Sequence, residues 1–204
     1  MNLKQRFYRL ISRYTEDALL IDSLWIELET KYAETHRAYH NQKHLQELFT
    51  YFDAYKQHLE NPALVEFSIF YHDIIYSIWK KDNEEKSALL AIERLASLQL
   101  HAHDLDSIHE QIIATKTHTT IHADTAWMID FDLGILGQSP AVYLDYTKSI
   151  REEYKSVPTF MYTKGRKIVL QHFINKPFIY ATAAFQKLYE EQAKLNLINE
   201  LNAL

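Results

Sequence analysis

The sequence predicts an all-α protein, and three observations carry that prediction. Only three glycines and four prolines punctuate 204 residues. Apolar residues recur at helical rather than strand period along most of the chain. Leu, Ala, Glu, Lys and Gln, all strong helix formers, dominate the composition. The chain is 47% hydrophobic, long enough for one sizeable core, and shows no repeat or linker-like stretch. A single domain over residues 1–204 is expected.

The elements can be read in order. Residues 2–14 form a short amphipathic helix. Thr15 is the expected cap of a second, whose face carries Leu19, Leu20, Leu24, Trp25 and Leu28. A third runs from about Asn41 to His58, with Leu45, Leu48, Phe49 and Phe52 at helical spacing. Asn61-Pro62 opens a fourth, since proline suits the first helical position. Its sequence, ALVEFSIFYHDIIYSIW, is apolar nearly all round, which marks a central buried helix. A polar break follows at Lys80-Lys81-Asp82-Asn83, with Asp82 and Glu85 spaced as a capping box for the fifth helix, to about Leu98. LHAHDLD reads as a loop, and a sixth helix covers about Leu105 to Thr117. THTTIHAD leads to a seventh, TAWMIDFDLGIL, ending at Gly137. Ser139-Pro140 starts an eighth helix to about Lys155. Pro158 starts a ninth, interrupted near Gly165 and ended by Asn175-Lys176-Pro177, and a long tenth closes the chain.

Composition also excludes functions. The formal net charge is −5 with both signs interspersed, so no basic stripe tracks a nucleic-acid backbone. No cysteine is present, which removes disulfides, thiolate metal sites and cysteine nucleophiles. The first residues lack a signal-peptide core and no apolar run is long enough to span a bilayer, so a cytoplasmic protein without a membrane partner is expected. HExxH, paired ExxH, GxxxxGK[ST], GxGxxG and GxSxG are all absent.

Three helices nonetheless direct polar groups at a core. In AYHNQKHLQELF, His40 and His44 lie one turn apart on one helix face. His72 and Asp73 interrupt the most apolar helix, where an unpaired carboxylate costs several kcal/mol. Asp130 and Asp132 sit among bulky apolar residues. They point about 200° apart on a helix, so at least one faces inward. Imidazole and carboxylate ligands together suit one divalent ion such as Mn, Mg, Fe, Co or Ni. A structural His–Asp pair is the alternative reading of the same residues.

The ordered set YHNQKH, FYHDIIY, DNEEKSA, ATKTH, DFDLGILG and IREEY resembles the HD-domain superfamily of metal-dependent phosphohydrolases, and in particular a bacterial family of predicted HD phosphohydrolases. These landmarks cover roughly residues 37 to 154. YHNQKH is also similar to the opening motif of cyclic-nucleotide phosphodiesterases. Those enzymes place another histidine shortly after HD, where this chain has Ile74, Ile75 and Tyr76.

The resemblance implies an HD-type multi-helix bundle with His44, His72, Asp73 and Asp132 as metal ligands. Its Asp-Leu pair favours Asp132 over Asp130. His40 would protonate the leaving oxygen, and Asp73 would also position the attacking water. Lys116, His118 and Arg151 are candidate substrate contacts, with Arg166 and Arg37 as further cations and Glu84 as a water-orienting group. His122 is the other loop histidine considered. The implied activity is hydrolysis of a phosphate ester or phosphoanhydride, in a nucleotide or another small phosphorylated metabolite. The alternative is a non-catalytic metal-containing domain that binds or senses a nucleotide. The oligomeric state stays open.

Overall fold

A computed structural model describes residues 1–204, and every regular element in it is helical. The ten α-helices are α1 (Leu3–Ile11), α2 (Ala18–Tyr32), α3 (Gln42–Tyr55), α4 (Pro62–Tyr71), α5 (Asn83–Leu95), α6 (Ala102–Thr117), α7 (Ala123–Leu133), α8 (Pro140–Glu153), α9 (Thr159–Asn175) and α10 (Ala183–Ala203). One hydrophobic core joins residues from Leu3 to Leu197. No helix is long and apolar enough to cross a membrane.

Helix α4 is the hub, as its all-round apolarity requires. Every residue from Ala63 to Tyr71 is buried, and α3, α5, α6 and α7 pack around it. Its two polar members are satisfied inside the core. Ser68 Oγ donates to Gln111 Oε1 at 2.7 Å. Glu66 accepts from Arg6 at 2.9 Å and Arg9 at 3.0 Å, and Arg6 is shared with Asp53.

Helix α4 ends at Tyr71, not near Trp79 as its apolar run suggested. The reason is a set of donors that capture its last carbonyls. Tyr32 Oη donates to the Phe70 carbonyl at 3.1 Å. The buried Arg37 guanidinium donates to the carbonyls of Asp73 at 2.6 Å and Ile74 at 2.9 Å. A cation at a helix C-terminus also complements the macrodipole. Capture of these oxygens replaces further i→i−4 bonding, so His72 and Asp73 sit at the exit of the helix instead of in its middle.

Other boundaries also move. Asp17, not Thr15, caps α2, accepting from Leu19 N at 3.0 Å and Leu20 N at 3.1 Å. Asp82 does not cap α5; it pairs with Lys86 one turn on at 2.9 Å. Much of the expected LHAHDLD loop is the first turn of α6, because Asp104 folds back to accept the His101 N–H at 3.1 Å. Helix α9 runs unbroken through Gly165. That glycine faces open space, so its cost of about 1 kcal/mol is a propensity cost and not a break.

A 3₁₀ turn, Gly134–Gly137, follows α7 and meets α10. At Gly137 an added Cβ would fall 2.5 Å from Tyr189 Cβ and 2.7 Å from Tyr180 Oη, so only glycine lets α10 approach this closely. That contact braces the end of the helix that carries Asp132.

Candidate metal centre

Three helices deliver four side chains to one point. His44 comes from the first turns of α3, where Asn41 caps the helix by accepting from Lys43 N at 2.9 Å. His72 and Asp73 come from the exit of α4, and Asp132 from the last turn of α7. His44 Nε2 lies 3.2 Å from His72 Nε2 and 3.2 Å from Asp132 Oδ1. His72 Nε2 lies 3.2 Å from Asp73 Oδ2 and 3.7 Å from Asp132 Oδ1. His44 Nε2 and Asp73 Oδ2 are 3.7 Å apart.

These five separations are the edges expected of a coordination shell. Ligands about 2.1 Å from one ion stand about 3.0 Å apart at right angles and about 3.4 Å apart in a tetrahedron. The ligand atoms of His44, His72 and Asp132 all lie within 4.8 Å of one another, so this set of two buried histidines and a half-buried aspartate could hold a metal ion. Asp73 Oδ2 adds a fourth ligand atom, a second oxygen, beside the two imidazoles.

The second nitrogens support the same reading. His72 Nδ1 donates to the Ile69 carbonyl at 2.9 Å. That bond fixes the tautomer and leaves the Nε2 lone pair aimed at the centre, as metal-binding histidines require. His44 Nδ1 points away, 4.0 Å from Glu47 Oε2.

The charges of the centre favour positive charge there. Burial alone would raise the carboxyls of Asp73 and Asp132, yet the adjoining imidazoles hold both below the usual carboxylate range. Burial would lower His44, but Asp132, Glu47 and Asp73 outweigh it and lift the imidazole to about 10. His72 is raised by Asp73 and Asp132 against the same burial cost. The two carboxylates therefore draw positive charge onto these imidazoles, and a divalent ion would meet the same need.

His40 stands beside the centre, with its ring 5.7 Å from that of His44. Its Nδ1 pairs with Glu153 Oε2 at 2.8 Å. Glu153 is fully buried at the end of α8 and takes three further hydrogen bonds. They come from Tyr39 N at 2.7 Å, His40 N at 2.8 Å and Tyr76 Oη at 2.6 Å. Burial raises the Glu153 carboxyl, but His40 and Tyr76 bring it down to about 2. The Tyr76 ring stacks on the His40 imidazole at 4.4 Å. With Nδ1 committed to Glu153, Nε2 is the nitrogen left to act on a ligand.

A cavity of about 170 Å³ opens onto this group, lined in part by Tyr39, His40, His44, His118, Asp132 and Arg166. His118 enters it from the C-cap of α6 with φ 52°, the one non-glycine residue of positive φ. Such a conformation costs energy and is held by its surroundings. Here Lys176 Nζ donates to the His118 carbonyl at 3.2 Å, and Phe173 packs on the ring. Burial pushes the His118 imidazole down to about 4, so it is neutral at pH 7.

Of the two aspartates of α7, Asp132 joins the histidines. Asp130 is also buried but faces the other way, accepting from Ala181 N at 2.7 Å and Thr182 N at 2.8 Å just before α10. The other candidate contacts are not brought to the cavity. Lys116 is bonded to Glu85 and the Lys81 carbonyl, both at 2.5 Å. Arg151 serves the α8–α9 turn, donating to the Tyr154 carbonyl at 2.6 Å. Arg37 is the clamp on α4 described above. Glu84 is half-buried at the start of α5, 3.9 Å from Lys116. His122 lies 3.5 Å from Glu110. Arg166 does line the cavity, with its guanidinium forked onto Glu200 at 2.7 and 2.9 Å.

Glu153, Tyr76 and Glu47 had no assigned role in the sequence reading. Glu153 left one signal. Glu152-Glu153 ends α8, where carboxylates oppose the helix macrodipole and so need a separate reason to be there. Comparison with protein-family models, with curated proteins and with solved structures found no match.

Proposed function

We propose that this protein is a metal-dependent phosphohydrolase, cleaving a phosphate ester or phosphoanhydride. The observation that carries the proposal is the convergence of two imidazole Nε2 atoms and two carboxylate oxygens at 3.2–3.7 Å, beside a histidine held by its own buried glutamate. The resemblance to HD-domain phosphohydrolases supports the same reading.

His44, His72, Asp73 and Asp132 would hold one divalent ion of the Mn, Mg, Fe, Co or Ni type. Bound there, such an ion supplies Lewis acidity toward a phosphoryl oxygen and lowers the pKa of a coordinated water. Asp73 remains partly accessible and accepts a hydrogen bond from the attacking water, keeping it in line with phosphorus. Glu153 fixes His40 with Nδ1 inward. Protonated His40 then delivers the Nε2 proton to the leaving oxygen, and Glu153 stabilises the cation before transfer.

The test is elemental analysis of the protein beside Asp73→Ala and His40→Ala. About one divalent ion per chain, lost in Asp73→Ala and kept in His40→Ala, is expected. Turnover of phosphorylated metabolites should fall ~10²–10⁴-fold in His40→Ala. No ion, and none taken up from Mn, Co, Ni or Mg, would overturn the proposal. An emptied site in His40→Ala would overturn the division between ligand and acid.

A further inference from the structure

The cavity beside the centre is small and apolar in its depth. Its volume of about 170 Å³ sits below the roughly 300–1,000 Å³ of typical ligand pockets. An engineered apolar cavity of about 150 Å³ takes up one benzene. The comparison gives room for a fragment of about six carbons, far short of a nucleoside.

The lining is divided. His40, His44, His118 and Asp132 stand at one end, whereas His72 and Asp73 do not line the cavity. One side of the centre therefore faces this space. The other walls include Leu136, Val169, Leu170 and Leu197. Two of the polar groups are engaged: Arg166 is forked onto Glu200, and Tyr39 Oη donates to Glu47 at 3.3 Å. A nucleoside would not find the volume.

We infer that the substrate is a phosphate ester of a small, largely apolar alcohol, with the phosphate at the His40 end and the carbon chain against Val169 and Leu170. The inference rests on the phosphohydrolase reading of the same centre. In the step it implies, water oxygen bonds to phosphorus while the phosphorus–alkoxy oxygen bond breaks. The leaving oxygen takes a proton from His40, the proton shed by the water restores His40, and the products are the free alcohol and inorganic phosphate.

The test is calorimetric titration of the Mn-loaded protein with alkylphosphonates, whose carbon–phosphorus bond this chemistry does not cleave. Methyl, ethyl, propyl and butyl phosphonates are compared with the phosphonate isostere of AMP. Affinity should rise roughly fourfold per methylene, as burial of each CH₂ predicts. The AMP isostere should bind no tighter than methylphosphonate. In Val169→Trp, at a half-exposed wall position that tolerates a larger side chain, the gain with chain length should vanish while methylphosphonate binding persists. Affinity independent of chain length, or an AMP isostere tighter than every alkylphosphonate, would overturn the inference and leave the phosphohydrolase reading standing. Failure of every phosphonate to bind a protein that holds Mn would overturn the phosphohydrolase reading itself.

Discussion

Replacing Glu153 with glutamine tests whether a buried carboxylate organises the proton-handling side of the site. Glu153 accepts four hydrogen bonds, two on each oxygen. Glutamine keeps one oxygen for the Tyr39 and His40 amides but turns an NH₂ group toward His40 Nδ1 and Tyr76. The imidazole must then accept at Nδ1, which disfavours the imidazolium whose Nε2 proton the assigned role needs. The energetic scale follows from the carboxyl itself, whose pKa falls from an ordinary 4.5 to about 2 in the fold. A depression of that size contributes ~3 kcal/mol at neutral pH. Because the folded value is the lower one, this stability is present above pH 4.5 and is lost as pH falls toward 2. Glu153→Gln should therefore be less stable than the parent by up to about 3 kcal/mol at pH 7, and the gap should close between pH 4.5 and 2. Urea denaturation across that range measures it. Metal content should be unchanged and turnover should fall ~10²–10⁴-fold. A gap that does not depend on pH would refute the claim that the buried charge holds His40.

Further perturbations separate the remaining roles. Adding Mn at about 100 times its dissociation constant should stabilise the protein by about 2.7 kcal/mol, and His72→Ala should abolish that gain in a thermal melt. Asp130→Ala should keep the metal but lose ~2–4 kcal/mol, because the amides of Ala181 and Thr182 lose their acceptor; metal loss in this variant would contradict the assignment of Asp132. Gly137→Ala should cost ~1–3 kcal/mol by forcing Tyr189 and Tyr180 off the turn after α7, as read by chemical denaturation.

Much of this was legible in the chain. The hub α4 announced itself by being apolar on every side. His44, His72 and Asp73, with Asp130 or Asp132, were legible as polar groups aimed at a core, and the resemblance to HD-domain phosphohydrolases implied which of them would be ligands. Elsewhere the sequence was ambiguous or silent. Asp130 and Asp132 are equally acidic in equally apolar surroundings, and only the docking of the segment before α10 onto Asp130 tells them apart. Lys116 and Arg151 have the charge a phosphate needs, but their partners are local and their positions lie away from the cavity. The service of Glu153 to a histidine 113 residues earlier has no local signature beyond an acid where a helix end disfavours one.

The division has one physical cause. Helix formation, burial of apolar faces and the need to compensate a carboxylate in a core are set by residue type and spacing, so the all-α class and the candidate ligands follow from sequence alone. The end of α4, the tautomer of His72, the partner of His40 and the size of the cavity depend on which atoms meet across distant elements. Those meetings are decided only when α3, α4, α7 and α8 pack together.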